Sequence, residues 1–254
     1  MTNLNNVPIV NAPFIYINGL QLSNDATTPN TLLDIAVGQC RDAGNEYDMF
    51  LNSPLVINMA GSGLNGLDTG TVAASKVYAV LLVSDPVSGN PTGAMFTLTP
   101  SAPLMPFGYS AYKTIGYVAT DSSMHILKGY WTAGGTGDRL FTFDAPQATA
   151  VTAGAATTYT AVDLSALVPN GIAELPVNLS FAFTPGAPSR TLKLQGANST
   201  GDAVTITGQV TSVVVSGLAG VLAQIASSKP EVNYKVSNAG DAVALNVAGY
   251  RLSI

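Results

Sequence analysis

Short apolar runs recur along the whole chain, each closed by Gly, Pro, Asn, Ser or Thr. The runs are short and lack the i, i+3, i+4 spacing of an amphipathic helix. They read as strands bounded by turns. In the first half the pattern predicts strands over Phe14–Leu22, Thr31–Ile35, Met49–Leu51, Leu55–Asn58, Lys76–Val83, Ala94–Leu98, Tyr112–Thr120 and Met124–Trp131. In the second half it predicts Leu140–Phe143, Thr157–Val162, Ala173–Phe183, Thr191–Leu194, Val204–Val215, Val221–Ala226, Val232–Val236 and Ala242–Leu252. The segment KVYAVLLV is β-branched, aromatic and apolar on both faces, which fits a strand buried on both sides. Asn18-Gly19 inside the first run marks a tight turn or bulge.

Helix signals are few. Asp163 is placed to cap a single turn that Pro169 stops. Leu218–Ser228 has helical propensity, but Gly220 within it weakens a helix and strand is favoured. About fifteen short strands with regular turns imply sandwich or barrel architecture. The expected fold is all-β, with two consecutive antiparallel, jelly-roll-like β-sandwich domains. Residues 1–13, polar and carrying Pro8 and Pro13, form an extended N-terminal arm; residues 14–144 form the first domain. The Ala/Thr/Gly-rich stretch from Ala145 to Thr160 opens the second domain, 145–254.

Composition changes this picture in one respect. Only 10% of the 254 residues are charged, against about 25% in an ordinary globular chain. A surface so poor in charge is expected to meet other protein, and few charges guard the strand edges against pairing with another chain. The chain is therefore expected to be a homo-oligomer. A net charge of −5 and ten scattered basic residues lack the clustered footprint of nucleic-acid binding. No apolar run is long enough to insert in a membrane, and MTNLNNVPIVNAP lacks the charge and apolar core of a secretory signal. Cys40, the single cysteine, has no intramolecular disulfide partner.

Candidate chemistry is sparse. His125, the only histidine, alternates with apolar neighbours and reads as a half-buried strand residue. Asp34, Asp42, Glu46 and Asp48 fall close together, and a pair of such carboxylates in a cleft would serve as the acid and nucleophile of glycoside hydrolysis or, with backbone carbonyls, as a calcium site. Against that, Asp25, Asp68, Asp85, Asp121 and Asp202 all neighbour Gly, Ser or Thr, where an Asx side chain caps its own turn. No catalytic, cofactor-binding or metal-ligating residue is assigned. The aromatics Tyr109, Tyr112, Tyr117, Tyr130 and Trp131 crowd one stretch. Exposed, they would stack on sugar rings or anchor a subunit interface; Trp131 is expected in the core or an interface.

A set of motifs, each weak alone, gains specificity from order and spacing. They run from Ile17-Asn-Gly-Leu20 through Asp34-Ile35, Gly66-Leu-Asp-Thr-Gly70, Val77–Val83 and Pro106-Phe-Gly-Tyr109 to Tyr112-Lys-Thr-Ile-Gly-Tyr117 and Asp121. Val168–Ile172 and Gly249-Tyr250 follow in the second half. In this the chain resembles tailed-bacteriophage virion structural proteins of the tail-fibre or head-fibre type. The resemblance implies a virion-exterior protein, usually a homotrimer; the arm, residues 1–13, is expected to dock it onto other virion proteins. The chain is expected to serve host attachment at a tail tip, with capsid decoration as the alternative; the aromatics offer a host-surface glycan as ligand, and the paired carboxylates offer polysaccharide depolymerase activity as a lesser alternative. The family's Gly-Tyr/Trp-x-Asp ending is replaced here by Gly-Tyr-Arg-Leu-Ser-Ile.

Overall fold

A computed structural model describes residues 16–133 and 138–253. The expected arm, residues 1–13, lies outside the described residues. Among those described every regular element is a strand. The first half contains β1 (Ile17–Gly19), β2 (Leu22–Asn24), β3 (Leu32–Ile35), β4 (Gly38–Arg41), β5 (Asp48–Leu51), β6 (Leu55–Asn58), β7 (Val77–Ser84), β8 (Gly93–Thr97), β9 (Ala111–Ala119) and β10 (Gly129–Ala133). The second contains β11 (Asp138–Ala148), β12 (Thr160–Asp163), β13 (Glu174–Thr184), β14 (Arg190–Gly196), β15 (Val204–Gly208), β16 (Val215–Ala226), β17 (Lys229–Val236) and β18 (Ala242–Ser253). The fold is all-β, and every strand pairing is antiparallel.

The longest ladder runs β15-β14-β17-β16-β13-β18-β11-β10-β2-β3-β6, with β12 added to β17. It turns a corner at the β16–β17 hairpin, where only Gln224–Ala226 and Lys229–Glu231 pair. Beyond that corner the two layers form a sandwich. Alternation sends Leu175, Val177, Leu179, Phe181 and Phe183 of β13 inward, with Val243, Leu245 and Val247 of β18. From the other layer come Leu192 and Leu194 of β14 and Val232, Tyr234 and Val236 of β17. All belong to one buried cluster, which runs on into Leu22, Ile35, Met49, Ile57, Phe96 and Ile115 of the first half. The expected domain change at residue 145 falls within β11, which pairs with β18 both before and after a register shift between Thr142 and Gln147. Where β10, β11 and β18 meet, Trp131, Phe141, Phe143 and Tyr250 pack ring on ring, with centroids 4.7–5.8 Å apart.

Two smaller sheets complete the first half, β1-β4-β5 and β8-β7-β9. The segment KVYAVLLV becomes β7 and is buried on both faces, as its composition predicts. Tyr78, Val80 and Leu82 enter the main cluster, while Ala79, Leu81 and Val83 join Met95 in a second one. The Asn18-Gly19 signal is also met. Gly19 has φ +68°, and a Cβ there would sit 2.4 Å from the Val37 carbonyl oxygen.

Several expectations are corrected. Val204–Val215 is two strands, because a turn at 209–213 separates β15 from β16. The strand expected from Met124 begins at Gly129. Asp121 accepts the backbone N–H groups of Ser123 and His125, both at 2.8 Å, closing a turn in which Met124 has φ +67°. His125 is therefore exposed in that turn rather than half-buried in a strand. Strand β4 was not expected at all.

Candidate functional site

The five aromatics separate into three environments. Tyr109, Tyr112 and Tyr117 pack on the outer side of β7 against the Ala79–Leu81–Val83–Met95 cluster, with Met105 beside them. Burial raises the ionisation of the Tyr117 phenol above its ordinary value. The loop that brings Met105 and Tyr109 is moored by Asp68, whose carboxylate accepts the Thr97 hydroxyl at 2.6 Å and the Leu104 N–H at 3.3 Å. Trp131 lies in the main core. Tyr130, its neighbour on the same strand, points the opposite way and is exposed. No shared platform of five rings exists.

A cleft of about 590 Å³ opens instead beside this second cluster, between two hairpins. One wall is the β4–β5 hairpin. There Asp42, itself buried, accepts the N–H groups of Gly44 (2.9 Å), Glu46 (2.7 Å) and Tyr47 (2.7 Å) and so shapes the tip. Arg41 is held by Asp48 at 2.9 Å, by the Asn45 side chain at 3.2 Å and by the Asn45 carbonyl at 3.1 Å. Glu46, Tyr47, Phe50 and Asn52 line the same wall.

The other wall is the β7–β8 hairpin. Buried Asp85 accepts the N–H groups of Val87 (3.1 Å) and Ser88 (2.8 Å), and the Asn90 side-chain amide donates to its second oxygen at 2.7 Å. The Ser88 N–H, followed by the Val87 N–H and the Ser88 and Asn90 side chains, holds its carboxyl below the ordinary 3.8. Tyr109 reaches this wall from below, donating its hydroxyl to the Pro91 carbonyl at 2.7 Å. Of the predicted aromatics it braces this wall through its side chain, while the Tyr112 carbonyl accepts the Ala43 N–H of the opposite hairpin at 2.8 Å.

The acidic residues mostly hold loops. Asp25, Asp42, Asp85 and Asp121 each accept backbone N–H groups of the turn that follows. Asp68 and Asp202 depart from that expectation. Asp68 ties a strand to a loop, and Asp202 accepts Lys193 at 2.6 Å and the Tyr159 hydroxyl. Asp34 lies apart on β3, its carboxyl raised by burial and by Asp25. Among the described residues no three His, Cys, Asp or Glu side chains converge on a point that would hold a metal ion.

A second surface is larger and chemically plainer. Cross-strand partners share a face, so the outward row of β16, β13 and β18 can be read from the register. It contains Ser216, Leu218, Gly220 and Leu222, then Pro176, Asn178, Ser180, Ala182 and Thr184, then Ala242, Ala244 and Asn246. None is charged. Leu218 is 70% exposed and Leu222 43%, and Val210, Val213 and Val214 continue the apolar surface. Among the described residues no strand pairs with the far edge of β16 between Val215 and Ala223.

No protein-family model matches the chain, and no curated protein does. Solved structures give distant likenesses. A carbohydrate-binding module of Cellvibrio mixtus lichenase 5A, solved with cellotriose, is 11% identical over 50% of this chain and 86% of its own, with a TM-score of 0.21. The infectious bursal disease virus Gx strain structure is 11% identical over 92% of this chain and 71% of its own, at 0.24. An exo-β-1,3-galactanase of Phanerochaete chrysosporium, solved with galactose, is 11% identical over 93% and 68%, at 0.21. At these scores none carries an argument about function.

Proposed function

We propose that this chain is a structural subunit that assembles with copies of itself on the exterior of a tailed-phage particle. The observation that carries self-association is the uncharged outward face of β13, β16 and β18 together with the open edge of β16. VSGLAGVLAQIA, the sequence of β16, contains no charge and no proline, the two devices that ordinarily stop an edge from recruiting another strand. A second copy suits this surface because it brings the same chemistry. Two such faces meet without burying an unpaired charge, and closed symmetry lets a single patch be used by every copy. The phage setting and the preference for a trimer rest on the order of sequence motifs from Ile17 to Tyr250. The short chain and the absence of coiled-coil heptads suit a compact tail-tip host-contact subunit or a capsid decoration rather than a long fibre shaft, and of the two we favour the tail-tip role.

Sedimentation across a wide concentration range tests the assembly: a stable oligomer, with three copies favoured, is expected, and a monomer throughout overturns it. Immunogold labelling of purified particles tests the setting, since gold at the tail tip supports the host-contact role and gold over the capsid supports decoration. Removing residues 1–13 should block incorporation into particles while leaving oligomers intact. Truncated protein that still incorporates would end the tether idea.

A further inference from the structure

The cleft between the β4–β5 and β7–β8 hairpins shares no residue with the β13–β16–β18 face, and its chemistry points to a ligand. Sites for apolar small molecules are walled mostly by hydrophobic side chains. This one is not: none of its lining residues is Leu, Ile, Val or Met. Its apolar surface comes from the rings of Tyr47, Phe50, Pro86 and Pro91, and the remainder is hydroxyl, amide, carboxylate and guanidinium. Flat rings for C–H faces, set among donors and acceptors for hydroxyls, match the alternating chemistry of a sugar. A volume of about 590 Å³ lies within the range of ligand sites.

Charge narrows the class. One guanidinium, Arg41, faces three carboxylates, Glu46, Asp48 and Asp85, which leaves a net −2 in the cleft. Anionic ligands such as phosphates, uronates and sialic acids are repelled. The walls are also fixed in advance, because Asp42 and Asp85 lock the two hairpin tips and Tyr109 braces Pro91. A preordered site loses less entropy on binding.

We propose that this cleft binds an uncharged oligosaccharide, with Tyr47 and Phe50 as stacking surfaces and Glu46, Asn52 and Asn90 as partners for its hydroxyls. Tyr47 is the residue to test. Its ring is exposed, and Tyr47→Ala leaves the backbone N–H that Asp42 accepts in place. The full chain is titrated calorimetrically with neutral oligosaccharides of glucose, galactose, mannose and N-acetylglucosamine. Sialyllactose and inorganic phosphate serve as anionic probes.

Saturable binding of at least one neutral oligosaccharide is expected, weakened about tenfold or more in Tyr47→Ala and unchanged in Lys235→Ala on the far sandwich. Asn90→Ala should weaken binding as well. Three results each overturn the proposal: no neutral sugar binds up to about 10 mM, binding survives Tyr47→Ala unchanged, or an anionic probe binds better than every neutral one. The readout does not depend on the oligomeric state, so failure here leaves self-association standing.

Discussion

The two outer faces of the sandwich formed by β12–β18 rest on equivalent inward rows and differ in what points away from them. On β14, β17 and β12 the outward row carries Lys193, Lys235, Glu231 and Asp163, with Lys229 near the corner hairpin. These side chains are engaged with one another or with close neighbours. Lys229 meets Asp163 at 2.5 Å, Lys193 meets Asp202 at 2.6 Å, and the Lys235 ammonium lies 4.1 Å over the Tyr159 ring. On β16, β13 and β18 the charges are confined to one end of the face: Glu174, to which the Gln224 amide donates at 3.0 Å, and Arg251, which pairs with Asp138 of β11. The middle of this face carries no charge, whereas the opposite layer carries charge along its length. The lesson is that low overall charge does not make a uniformly bland surface: it marks off the face that water solvates from the face left for protein.

If the faces differ only outward, their interiors must be interchangeable in cost, and truncation there gives the largest effects. Phe183 and Leu194 are fully buried in opposite layers. Phe183→Ala should lose about 3–5 kcal/mol and Leu194→Ala about 2–5 kcal/mol, measured by urea unfolding. A Phe183→Ala variant within about 1 kcal/mol of wild type would show that the β13 layer is held by something other than its own core.

Outward substitutions come next, and here the faces should part company. Ser180 sits opposite Leu218 in the register. Ser180→Lys paired with Leu218→Lys places two ammonium groups in the middle of the uncharged face. An unpaired charge in a closed interface costs several kcal/mol, so association should weaken about a hundredfold or more. Thr205→Lys, on the charged layer opposite Lys193, should leave the oligomer unchanged. Sedimentation of both variants decides the matter. Equal effects, or an effect of Thr205→Lys alone, would abolish the distinction between the faces.

How much of this was legible in the sequence depends on range. β7 could be read from its own residues, because a strand apolar on both sides has no stable place except between two clusters. β16 could be read too: Gly220 argued against a helix, and the register carries it outward, opposite Asn178. β4 could not. GQCR offers one apolar residue, Cys40, which is buried with its thiol pushed up to about 12 by that burial. A single inward cysteine leaves no periodic trace. His125 was misread because alternation was weighed above Asp121-Ser-Ser, the turn chemistry that ends the strand. Tyr130 and Trp131 were grouped by proximity, although adjacent strand residues face opposite sides. The cleft was beyond reach altogether. Its walls come from two hairpins far apart in sequence, and only tertiary packing, β5 near β7 and the Ala43 N–H on the Tyr112 carbonyl of β9, brings Glu46 and Tyr47 into one cleft with Asn90.

The smallest expected effect is also the one that separates the faces by their physics. Asp202 is held below the ordinary carboxylate value of 3.8 by Lys193 and then by the Tyr159 hydroxyl. Burial and Asp202 push the Tyr159 phenol up to about 12. A group whose folded value is depressed contributes stability above its unfolded value and loses it as pH falls through the folded one. The Lys193–Asp202–Tyr159 contact should therefore be intact from neutrality down to about pH 4.5 and released only below the ordinary carboxylate range. The exposed pair is weak and screened by salt, so Asp202→Asn should lower the melting temperature only slightly and leave the oligomer alone. On the β16–β13–β18 face the ionisable groups lie at one margin, Glu174 and the Arg251–Asp138 pair. Sedimentation at neutral pH and at about pH 4.5, from about 0.05 M to about 0.5 M salt, should give the same oligomer throughout. Dissociation as salt is raised would mean that copies meet through Lys193, Lys235 and their partners, and the charged layer would then be the assembly surface.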